Sequence, residues 1–130
     1  MRVVLDTNIV VSAFLSPGGK PAAILRLVLR GDIEICFSTA ILAEYERVLC
    51  RSKFAGRIRQ PAIVRFIEIL YNTGVHIVAI PSHIDMPDET DRKFYDVAKT
   101  AGAALVTGNQ RHYPDDRSVV SPADLLSQIG

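Results

Sequence analysis

A chain of 130 residues, 48% hydrophobic and 22% charged, has the size and composition of one folded domain, residues 1–130, and excludes a disordered tail. A formal net charge of +1 excludes a uniformly basic surface of the kind that gathers nucleic acid by charge alone. No apolar run reaches the roughly 20 residues that span a bilayer, and the short run before Asp6 is no signal peptide, so a cytoplasmic protein without a membrane partner is expected.

In chain order, Val3-Val4-Leu5 reads as a buried strand that ends at Asp6. Asn8–Leu15 forms a short helix, closed by the turn signal Ser16-Pro17-Gly18-Gly19. Pro21 opens a second helix that Gly31 ends, and Ile33–Phe37 is a second strand. Ser38 or Thr39 caps a third helix running to about Arg51. After a basic connector, Pro61 opens a helix that ends at Gly74, and Val75–Ile80 reads as a strand stopped by Pro81. An acidic loop leads to a helix over about Thr90–Thr100, then a strand at Ala103–Val106, a last strand at Val119-Val120 and a helix from Pro122 to Ile129. Strands alternating with helices predict a three-layer α/β/α sandwich around a central, mostly parallel sheet. In such sheets ligands bind outside the carboxyl ends of the strands. Cys36 and Cys50, without C-x-x-C spacing, are expected as two buried, reduced thiols.

The acidic residues gather at those strand ends. Asp6 follows the first strand, where an aspartate meets a metal or phosphate or simply caps the next helix. On the third helix Ile41, Leu42, Tyr45, Val48 and Leu49 share a face, and Glu44 and Glu46 flank it equally, so periodicity does not choose between them. On the helix from Thr90, Asp91 lies at the edge of the side defined by Phe94, Val97 and Ala98, whereas Asp96 is expected to point nearly the opposite way. Capping is the alternative role for Asp88 or Asp91. Leu105-Val106-Thr107-Gly108-Asn109 is a further strand running into a polar turn. Carboxylates collected at one edge repel unless a hard cation neutralises them, and Mg²⁺ or Mn²⁺ suits oxygen ligands.

Four segments in this order resemble the PIN-domain family: Val3-Val4-Leu5-Asp6-Thr7-Asn8, Ser38–Glu44, Asp88–Phe94 with Ala98, and Leu105–Asn109. The likeness spans essentially the whole chain and is greatest to the toxin components of bacterial and archaeal toxin–antitoxin pairs. It implies a Mg²⁺- or Mn²⁺-dependent endoribonuclease, with RNA as substrate and an antitoxin as partner. It assigns catalytic and metal-binding roles to Asp6, Glu44 and Asp91, and so favours Glu44 over Glu46. Asn109, an additional ligand through its amide oxygen, stands where the family often has a fourth acid, and His112 stands where some relatives carry an aspartate. One metal ion per chain is therefore expected. Thr7, Asn8 and Thr107 are placed to bond carboxylates or phosphate, and Arg47, Arg51 and Lys53 to follow the RNA backbone. The alternative is a catalytically weak PIN domain that binds RNA or protein, which a metal-dependent cleavage assay separates.

The helices from Pro21 and Pro61 carry more apolar residues than one stripe needs: Leu25, Leu27, Val28, Leu29, Ile69 and Leu70. Part of that surface is expected to meet a second copy, forming a homodimer, or an antitoxin.

Overall fold

The computed structural model describes residues 1–130. Its strands are β1 (Arg2–Leu5), β2 (Glu34–Phe37), β3 (Val75–His76), β4 (Ala104–Val106) and β5 (Val119–Val120). Its helices are α1 (Thr7–Leu15), α2 (Lys20–Leu29), α3 (Thr39–Leu49), α4 (Gln60–Thr73), α5 (Arg92–Ala101) and α6 (Pro122–Ile129). The five strands form one sheet in the order β3-β2-β1-β4-β5, and every pairing is parallel. Val3, Val4 and Leu5 are wholly inaccessible, as an apolar run in a central parallel strand should be. No helix is long and apolar enough to cross a membrane.

The strand order fixes where a ligand can lie. From β1 the chain builds outward to β2 and β3, then returns to β4 on β1's other side. The crevice at the carboxyl ends of β1 and β4 is thus the point where the winding reverses. Leu5 pairs with Val106, which sets Asp6 beside Thr107.

The cap of α3 is Ser38, whose Oγ accepts the Ile41 amide at 3.2 Å. Where α4 meets β3, Gly74 is required by space. A Cβ there would lie 2.7 Å from the Leu70 carbonyl oxygen, 2.8 Å from Cε1 of Phe37 and 3.0 Å from the Ile35 carbonyl oxygen. Two of those atoms are backbone and cannot turn away. Gly74→Ala should therefore destabilise the fold by about 1–3 kcal/mol. Urea unfolding checks this: an unchanged midpoint would show that the α4–β3 junction has slack.

Four sequence-based expectations need correction. The strand expected over Val75–Ile80 is paired only at Val75–His76, because β2 ends at Phe37 and offers nothing further. Ile77 makes the last bond to Phe37, at 2.8 Å, and the Ile80 amide turns instead to Thr100 Oγ1 at 2.9 Å. Val78 and Ile80 consequently stand 87% and 73% exposed. Asp96, expected to face away from the core, is only 7% exposed, and its Oδ1 has no hydrogen-bond partner. Arg92, Asp96 and Thr100 share one stripe of α5, and a crossing segment covers it. Arg92 donates to the Ser82 carbonyl at 3.1 Å, Ser82 Oγ at 2.9 Å and the Ile84 carbonyl at 2.7 Å. Cys50, expected buried, is exposed because it lies just beyond the end of α3, while Cys36 is buried, and both are free thiols. Of the apolar residues attributed to an outer face, Leu25, Val28 and Leu70 lie in the core. Leu29 is exposed, beside a groove of about 500 Å³ between α2 and α4 that Phe14, Pro61, Phe66 and Ile69 help to line.

Candidate active site

Asp6 is 7% exposed, and its amide donates to the Val106 carbonyl at 2.9 Å, continuing the β1–β4 ladder. Its side chain does not cap α1. Instead Oδ2 accepts two hydroxyls, Thr107 Oγ1 at 2.8 Å and the Tyr113 phenol at 2.9 Å. Oδ1 accepts none, yet is not sealed from solvent. Burial first, then the charge of Asp6, then that of Asp91, push the Tyr113 hydroxyl far above its ordinary pKa, so it is a neutral donor.

Asp91 closes a 3₁₀ turn, Glu89–Asp91, that leads into α5, and it makes no capping bond there. Capping falls to Asp88, whose Oδ1 accepts the Thr90 amide at 2.9 Å and hydroxyl at 2.8 Å. The Thr90 hydroxyl bond is the chief reason the Asp88 carboxyl is held low. The Asp91 carboxyl, by contrast, is pushed up to about 6. Burial is the largest cause, followed by the charges of Asp6 and Asp88, against smaller opposite effects of His112 and Lys93. His112 Nδ1 lies 3.6 Å from Asp91 Oδ2, and its Nε2 lies 2.9 Å from Asn109 Nδ2.

The third acid is engaged differently. Glu44 Oε2 accepts the Thr7 hydroxyl. Its Oε1 lies 2.6 Å from Lys93 Nζ and 3.6 Å from Arg47 Nη2. Glu44 is therefore the inward member of the Glu44/Glu46 pair, and Glu46 is exposed.

No three His, Cys, Asp or Glu side chains converge tightly enough to enclose one cation. Glu44 is tied to Lys93, which leaves the mutually repelling Asp6 and Asp91 as the pair without a lysine or arginine partner. Mg²⁺ and its relatives commonly bind through one or two carboxylates, retain waters and complete their shell on a phosphate. The donor set fits such an ion at Asp6 Oδ1 and Asp91.

Other expected residues are placed around this pair. The Thr7 and Thr107 hydroxyls both meet carboxylates, and Thr107 is wholly buried. Asn8 is exposed at the mouth, its Oδ1 accepting the Gly108 amide at 3.4 Å. Arg47, Arg51 and Lys53 are exposed. Arg47 lies about 5 Å along α3 from Glu44, at about 1.5 Å per residue, whereas Arg51 and Lys53 lie beyond the end of that helix. Sequence reasoning passed over two members, Tyr113 and Lys93. Lys93, two residues past Asp91 at a helix start, was a recognisable partner for a facing acid. Tyr113 carried no signal beyond being a large amphipathic side chain in a polar loop.

Residues 2–111 match a family model for the PIN domain, and the chain belongs to that family. PIN domains are generally nucleases, and PIN nucleases generally use divalent metal ions. Uncharacterized protein MJ1680 of Methanocaldococcus jannaschii is 31% identical over 114 residues, which cover 85% of this chain and 72% of that protein. Among solved structures, a chain in the crystal structure of VapBC2 from Rickettsia felis, bound to a DNA fragment from their promoter, has a similar fold. The TM-score is 0.58 at 18% identity, with 93% of this chain and 97% of that chain covered.

Proposed function

We propose that this protein is a metal-dependent endoribonuclease that hydrolyses RNA phosphodiester bonds, and that it is the toxin of a toxin–antitoxin pair. The observation that carries the reading is the pair Asp6 and Asp91, with one Asp6 oxygen free of hydrogen bonds and the Asp91 carboxyl raised to about 6, first by burial and then by the charge of Asp6. When bound there, Mg²⁺ or Mn²⁺ supplies an acidified water and neutralises charge on the phosphate. Asp6 and Asp91 would hold the ion, with the Asn109 amide oxygen as a neutral additional donor. Glu44, held by Thr7 and Lys93, would orient the water or accept its proton. Asn8 at the mouth bonds a phosphate oxygen. With Asp6 and Asp91 as the pair without a lysine or arginine partner, one ion per chain is expected without RNA.

The test is a denaturing gel of varied RNAs with purified protein, with Mn²⁺ and with chelator. Cleavage that requires the metal supports the reading. RNA retention without cleavage supports a binding module instead, the reading favoured by the neutral amide of Asn109 and the ion pair on Glu44.

Arg47 on α3, with Arg51 and Lys53 just beyond its end, extend the site as a track for the RNA backbone. Replacing both Arg51 and Lys53 by Ala should weaken RNA binding about equally for all sequences and lower the salt slope by about two. Filter binding across a salt series measures this, and an unchanged slope would remove both residues from the track. The groove between α2 and α4 is the surface we assign to the antitoxin. A homodimer through the same groove is the competing arrangement, and light scattering of the isolated protein separates them.

A further inference from the structure

We infer that Tyr113 is a positioning residue: together with Thr107 it grips Asp6 by Oδ2 alone and thereby keeps Oδ1 as the oxygen presented to a cation. The inference rests on the proposed metal-dependent reading and assigns a role to a side chain outside the acidic set. A carboxylate turns easily about its last bond, since terminal torsions of this kind have broad, two-fold minima. One hydroxyl on Oδ2 leaves that freedom largely intact. Two hydroxyls, at 2.8 and 2.9 Å, use both lone pairs of Oδ2 and fix the plane.

Tyr113 is held to this task by its surroundings. It is buried and is delivered by the 3₁₀ turn Gln110–His112. Its amide donates to the Gln110 carbonyl at 3.2 Å, and the Gln110 side chain donates to the Val119 carbonyl at 3.1 Å, which ties the turn to β5. The same turn carries His112 to Asp91. One short segment thus holds both acids of the pair, Asp6 through a phenol and Asp91 through an imidazole. Removing the phenolic oxygen alone, as in Tyr113→Phe, keeps the ring and its packing but frees Asp6 to rotate. Partners that orient ligating groups in this way typically matter tenfold to a hundredfold in metal affinity.

The experiment is Mn²⁺ titration calorimetry on wild-type protein, Tyr113→Phe, Thr107→Val, Thr107→Ser and Tyr71→Phe, each checked for folding by circular dichroism. Tyr71 lies exposed on α4 and makes no hydrogen bond to an acid, so its variant controls for loss of a phenol as such. Expected are an Mn²⁺ affinity about tenfold weaker in Tyr113→Phe and in Thr107→Val, and wild-type affinity in Thr107→Ser and Tyr71→Phe. Should Tyr113→Phe fail to fold, the Val and Ser variants at Thr107 still decide whether donors on Oδ2 govern the site. Equal affinity in wild-type protein and Tyr113→Phe overturns the positioning role while leaving the metal site intact. No Mn²⁺ binding in the wild-type protein overturns the metal-dependent reading itself, and the role of Tyr113 with it.

Discussion

Replacing Asp91 by Asn is expected to lower metal-dependent cleavage of RNA by about a hundredfold to a thousandfold, the scale on which loss of one group acting at a reacting centre is felt. The same variant should fold at least as stably as the wild-type protein when no metal is present. The folded pKa of Asp91, about 6, lies above the ordinary carboxylate value. Its contribution to stability is therefore fully present below about pH 4 and is lost as pH rises through about 6. At pH 7.5 the wild-type chain carries an ionised carboxylate that folding disfavours, and the amide carries none. Two pH units correspond to about 3 kcal/mol, and screening by water at the open mouth reduces this to about 1 kcal/mol. Asp91→Asn should accordingly melt about 4 °C higher at pH 7.5 with chelator present, and the gap should close near pH 4. Scanning calorimetry at the two pH values tests the cause. A variant less stable at both would mean that Asp91 makes structural contacts instead, and cleavage at the wild-type rate would remove it from the site.

The second large effect is in acid. A cation binds the ionised form of Asp91, so apparent Mn²⁺ affinity should fall about tenfold for each pH unit below about 6. Between pH 7 and pH 4 the loss should approach a hundredfold, and cleavage at limiting metal should follow it. Raising the metal concentration should shift the acid limb to lower pH, because metal and proton compete for one carboxylate. In Asp91→Asn that limb should flatten. Calorimetric titrations at several pH values measure the dependence directly, and an affinity that is flat from pH 7 to pH 4.5 would show that Asp91 is not a ligand.

Much of the fold was legible because its signals are local. The apolar run Val3–Leu5, the stop at Gly31, Pro122 at the start of α6 and the Ser38 cap each declare themselves within a few residues, and each element lies where expected. The misreadings came from neighbours distant in sequence. Val78 and Ile80 alternate like a strand, but a strand needs a partner, and β2 had already turned into α3. Asp96 lies opposite the apolar stripe of α5, and only the crossing of Ser82 and Ile84 over Arg92 covers it. The acids of the site were suggested by their positions at strand ends and helix starts. What holds them was not, since the phenol of Tyr113 and the ammonium of Lys93 reach Asp6 and Glu44 across gaps that no periodicity spans. The choice between Glu44 and Glu46 shows the same limit. The two flank their helix face symmetrically, and the contact with Thr7 is what makes them unequal.

The grip on Asp6 also bears on when the site comes into being. The two hydroxyls that hold its carboxylate come from residues 101 and 107 positions later in the chain. A ribosome makes Thr107 and Tyr113 about a hundred residues after Asp6. Until β4 has been synthesised and has paired with β1, the aspartate has neither its neighbour strand nor its two donors, whatever local helices have already formed. A chain that stops before Thr107 holds Asp6 by neither hydroxyl, so the site is assembled late in synthesis.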